Sequence, residues 1–127
     1  MFKVFVILLL TAAALAISGE YEQYWDTWHK DAKFISQCQS EKEVVLFLQN
    51  ATINIGNAER AEANAEVIEK LIITKPACFM SALSALPNEQ CKTVVKFFIQ
   101  APIYQDPVQI EKSLKSIRSK KVNCYVC

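Results

Sequence analysis

Glycine is nearly missing from this chain: Gly19 and Gly56 are the only two in 127 residues. A phosphate-cradling loop needs several glycines in close order, and a hydrolase nucleophile elbow needs one on each side of its serine. Neither pattern exists here. The same shortage argues against a β-sandwich, which needs turn residues every eight to twelve positions or so. Histidine is as scarce, with His29 alone. Nuclease chemistry on a two-histidine plan is excluded, and any Ser-His-Asp or Cys-His set would have to use His29. His29-Lys30-Asp31 lacks the glycine-bearing loop of a calcium site. An excess of one charge is also lacking, since the formal net charge is only +1. No global field steers the chain to nucleic acid or to anionic lipid. The expectation is a protein without enzymatic activity, metal or cofactor.

What is there begins with a leader. Lys3 supplies a positive start, and Val4 to Ile17 is apolar apart from Thr11. That run is short for a membrane span and suits the core of a secretory signal. Ala16 and Ser18 are the small residues a signal peptidase inspects, which places cleavage after Ser18. Residues 1–18 are thus read as a signal peptide and residues 19–127 as one helical, disulfide-stabilised domain, secreted and extracellular.

Without the leader, 13 bases face 13 acids. The distribution is uneven. Lys112, Lys115, Arg118, Lys120 and Lys121 form a basic C-terminal stretch without an acid, on an acidic body. A solvated helix face with cations near a helix end explains such a stretch as well as a binding patch does.

All five cysteines, Cys38, Cys78, Cys91, Cys124 and Cys127, follow the leader. Export through an oxidising lumen makes disulfides the default. Five is odd, so two bridges leave one thiol, or the fifth joins a second copy in a disulfide-linked homodimer. Pairing is open, with one constraint. If the helices flanking Pro87 form a hairpin, Cys78 lies at its far end and Cys91 at its near end. Their separation of roughly 12 Å exceeds the reach of a disulfide. Each then needs a partner among Cys38, Cys124 and Cys127, which staples the tail onto the helices. Cys124-Tyr125-Val126-Cys127 has redox spacing but does not open a helix, where a thiol would be activated. The thirteen-residue step from Cys78 to Cys91 also departs from insect odorant-binding proteins, which place two cysteines three apart on one helix. The terminal cysteine pairs of saposin-like proteins are not reproduced either, so no family is claimed.

Helix signals follow one another closely. Tyr21, Tyr24, Trp25, Trp28, Ala32, Ile35 and Cys38 recur at three or four residues, predicting a first helix from about Glu20 to Cys38. Ser40 with Glu43 is a capping box opening a second helix to about Ile53, and Gly56 ends it. Asn57 caps a third helix to about Thr74, with an apolar seam of Ala61, Ala65, Ile68 and Ile72 and a supportive Glu66–Lys70 spacing. Pro76 opens a fourth helix to about Leu86. Asn88 is expected to cap a fifth, through Val94, Val95, Phe97, Phe98 and Ile99, closed by Ala101-Pro102. Asp106 with Gln109 caps a sixth, with Ile110, Leu114 and Ile117 on one face and proline at its first position. An extended tail follows from Lys120. The fold class expected is all-α: a compact bundle of about five to six short amphipathic helices, stapled by disulfides.

Candidate functional residues are few. Glu59, Glu62, Glu66 and Glu69 lie at helical spacing and read as a solvated face, not a glycosidase pair. Asn50-Ala51-Thr52 is the one N-glycosylation sequon. Tyr21, Tyr24, Trp25 and Trp28 form an aromatic stripe that packs a core, walls an apolar ligand pocket or contacts a partner. The leading functional expectation is a secreted effector acting on an extracellular protein target, in the manner of venom, salivary or other secretory polypeptides. The alternatives are a carrier of a small apolar ligand between helices and a binder of lipid surfaces through the first helix and basic tail.

Overall fold

The computed structural model describes residues 2–117 and 124–125, with side chains from Gly19 onward. Its described residues contain six α-helices and no strand: α1 (Phe2–Ser36), α2 (Glu41–Ile53), α3 (Ala58–Thr74), α4 (Pro76–Ser84), α5 (Asn88–Val94) and α6 (Pro107–Lys115). A π-helical turn, Val95–Ile99, continues α5. The all-α class read from the sequence is the fold observed. The chain divides into two compact units, residues 1–31 and 32–127.

In the second unit α2 packs on α4 and α5, and α3 on α4 and α6. The core is filled by the residues that the 3.6-residue period selects: Val44, Phe47 and Leu48 of α2, Ala65, Ile68 and Ile72 of α3, Phe79 and Leu83 of α4, Phe98 of the π turn, and Ile110 and Leu114 of α6. Ala32 and Ile35 bury there too. Each large side chain so buried contributes roughly 1.5–3 kcal/mol.

Helix ends follow local hydrogen-bonding chemistry. The Ser40 hydroxyl accepts from the Glu43 amide at 3.4 Å, Asn57 Oδ1 from the Arg60 amide at 3.1 Å, and Asp106 Oδ1 from the Val108 amide at 2.8 Å. One cap differs from expectation. Pro87, not Asn88, is the N-cap of α5, and Asn88 is already helical. Proline accepts this position because the first amides of a helix have no internal partner. A second difference is the π turn, where the Gln100 amide reaches back five residues to the Val95 carbonyl at 2.9 Å. Pro102 disfavours a further α turn, and the helix widens before it stops.

Two disulfides cross-link the second unit. Cys38–Cys78 joins the end of α1 to α4, and Cys91–Cys124 joins α5 to the residues after α6, with α-carbons 6.4 and 5.9 Å apart. Cys78 and Cys91 each take a different partner, in keeping with the hairpin argument, and the segment after α6 is stapled back. Helix α1 ends at Ser36, before Cys38, because Cys38 has a φ of 50°. A left-handed residue there would ordinarily be glycine. Glycine could not form the bridge, so the cross-link accounts for a conformation that costs a β-carbon-bearing residue about 1–2 kcal/mol.

Candidate functional site

The least expected feature lies on α3. Glu69 was grouped with an exposed acidic face, but its side chain is 0 % exposed. Its neighbours on that face, Glu59, Glu62 and Glu66, are exposed as expected. The reason is its register: Glu69 lies four residues after Ala65 and three before Ile72, within the apolar seam. An isolated buried carboxylate is costly, so it needs partners. It has three. The amides of Ile103, Tyr104 and Gln105 donate to it, at 3.2 Å to Oε2, 3.0 Å to Oε1 and 3.0 Å to Oε1. The Tyr104 amide also reaches Oε2 at 3.4 Å.

These bonds fix the connection between the π turn and α6. Pro102 has no amide hydrogen, and the next three amides all end on Glu69. The backbone donors of residues 102–105 are therefore fully accounted for by one side chain. Successive amides converging on one anion give a short irregular segment the rigidity that a helix would otherwise supply.

The side chains carried by this segment point outward. Ile103 is 60 % exposed, Tyr104 49 % and, just inside α6, Val108 66 %. Three large apolar side chains thus stand in solvent within six residues, on backbone that is held at both ends. The Tyr104 phenol is held above the ordinary value of 10.0 by partial desolvation and then by the carboxylates of Glu62, Glu66 and Glu69. Glu62, Glu66 and Glu69 share one face of α3, at steps of four and three residues. The expected Glu66–Lys70 ion pair does not form. Exposed ion pairs do form between Lys92 and Glu89 at 3.5 Å and between Lys115 and Glu111 at 2.9 Å.

The aromatic stripe lies in the first unit. There Tyr24 meets Trp25 edge-on at 5.1 Å, Trp25 meets Trp28 at 5.3 Å, and Trp28 meets His29 at 5.1 Å. Tyr21, the most open of the four, is 53 % exposed. His29 is exposed, with its ring edge-on to Trp28 and tilted to Trp25. Asn50 is exposed on α2, and its Oδ1 accepts from Asn54 Nδ2 at 3.2 Å. Of the basic stretch, Lys112 and Lys115 are exposed on α6, and Lys115 is engaged by Glu111. Arg118, Lys120, Lys121 and Cys127 lie outside the described residues, as does the homodimer reading that rests on the fifth cysteine. Among the described residues no three His, Cys, Asp or Glu side chains are grouped to hold a metal ion, and no helix is long and apolar enough to cross a membrane.

The sequence reading missed Glu69, Ile103, Tyr104 and Val108. Two signals pointed to them: an acid inside an apolar seam, and an apolar pair stranded between Pro102 and Pro107. In comparisons with known proteins the chain matches no family model, no curated sequence and no solved structure. The second unit is a helical bundle cross-linked by two disulfides, with a carboxylate-pinned apolar loop on its surface.

Proposed function

We propose that this is a secreted, non-enzymatic protein that binds an extracellular protein target through the loop of residues 102–108. The observation that carries the reading is the pinning of exposed Ile103 and Tyr104 by buried Glu69. Exposed apolar side chains are ordinary when single, but grouped ones mark contact sites, and tyrosine is enriched at interface hot spots. A loop already fixed in one conformation loses little entropy on binding. Disulfides between distant helices suit an oxidising compartment, and the apolar leader with small residues before Gly19 supports export.

The test uses the exported protein carrying a photo-crosslinking amino acid in place of Ile103, compared with one in place of exposed Gln109. Both are incubated in the extracellular fluid of the producing cells. The expected result is a protein adduct at position 103, suppressed by excess unlabelled protein, and none at position 109. Native mass spectrometry of the same material decides against the reading if the protein retains a stoichiometric small apolar molecule, which would make it a carrier.

A further inference from the structure

The protein-binding reading leaves the chemistry of the partner open, and the surroundings of the loop narrow it. The pinning carboxylate is the last of four acids at helical spacing on one face of α3, after Glu59, Glu62 and Glu66. Glu62 and Glu66 precede it by seven and three residues, so the loop tethered to Glu69 stands at the end of an acidic stripe. Both are exposed, and neither forms an ion pair with any described residue. Lys70, one turn beyond Glu66, does not close on it. The site therefore presents an apolar tip, Ile103 and Tyr104, beside two carboxylates that no described cation pairs. Desolvation first, and then Glu62, Glu66 and Glu69, hold the Tyr104 phenol above its ordinary value.

Resting on that reading, we infer that the partner segment is cationic and apolar: a lysine- or arginine-bearing stretch whose apolar residues cover Ile103 and Tyr104 while its cations meet Glu62 and Glu66. An arginine or lysine over the exposed face of Tyr104 adds a cation–π contact. Opposite charge steers the encounter, and a wrong partner of like charge is rejected.

The experiment follows amide shifts of the 15N-labelled, oxidised protein with three probes. These are the peptide acetyl-Arg-Leu-Lys-Phe-Arg-Leu-amide, its counterpart with glutamate at every basic position, and phosphatidylcholine vesicles. The cationic peptide is expected to shift the amides of residues 103–105 and 62–66. Its affinity should fall about two- to fivefold for each of Glu62→Gln and Glu66→Gln, and should weaken further at about 0.5 M salt. The double variant Glu20→Gln/Glu22→Gln, with twice the change in net charge of either single variant but at another place, should leave it unaltered. Equal shifts with the acidic peptide overturn the inference and leave the protein-binding reading standing. Shifts with vesicles alone assign the loop to lipid and overturn both. No shift at the loop with any probe, or an equal loss from the control variant, overturns the inference.

Discussion

Replacing Glu69 by glutamine tests the pinning of the loop with a change of almost no volume. The carboxylate accepts from three successive amides, using both oxygens. Glutamine has one acceptor oxygen. Placed at Oε1 it keeps the bonds from Tyr104 and Gln105, now neutral and weaker by about 1 kcal/mol each. Its amino group then faces the Ile103 amide, donor against donor, in a site without exposure. A buried donor left unmatched costs about 1–3 kcal/mol. The sum is about 3–5 kcal/mol, or a fall in thermal midpoint of about 12–20 °C at roughly 4 °C per kcal/mol for a domain of this size. Circular dichroism during thermal unfolding measures it, and hydrogen exchange locates it, since amides 103–105 should lose protection before the helices do. The exposed Glu66→Gln serves as control and should stay within about 0.5 kcal/mol. A Glu69→Gln protein that melts within about 3 °C of the parent, with the three amides still protected, would refute the argument.

Removing the first cross-link as Cys38→Ala/Cys78→Ala should cost about 4 kcal/mol by loop-closure entropy over its 40-residue separation, read by denaturant unfolding. In that background Gly at position 38 should be more stable than Ala by about 1 kcal/mol, because φ there is 50°. Asn57→Ala should destabilise by about 1 kcal/mol through loss of its cap, while Asn88→Ala should be near neutral, since Asn88 caps nothing. In an ultraviolet titration, the difference between the parent and Tyr104→Phe should show a phenol ionising above pH 10.0. Because folding raises that value, the unfolded chain releases the proton first, and the Tyr104 contribution should lower stability as pH climbs past 10.0 through the folded value.

Much of the fold was legible because it is written in local chemistry. Ser40, Asn57, Pro76 and Asp106 announce helix starts through hydrogen bonds or geometry confined to four residues, and all four mark the observed starts. Of the apolar faces read for α3 and α6, Ala65, Ile68, Ile72, Ile110 and Leu114 bury, while Ala61 and Ile117 stay partly exposed. Pairing of the cysteines was constrained by helix rise but not fixed, because the partner of Cys78 depends on how α1 ends. The cap of α5 was misplaced by one residue, since proline and asparagine both suit a helix entrance. The candidate site was the least legible part. The role of Glu69 depends on amides 34 to 36 residues away, and no local rule links them. An acid at seam spacing is the trace such a contact leaves in sequence. Tyr21, Tyr24, Trp25 and Trp28 drew attention by composition, and ring contacts with one another and with His29 are among those they make.

Mass spectrometry of the exported protein, digested without reduction, tests the account at its root. The account predicts a chain beginning at Gly19, with one cross-linked peptide pair joining Cys38 to Cys78 and another joining Cys91 to Cys124. A retained leader, fully reduced thiols or a Cys78–Cys91 pair would contradict it.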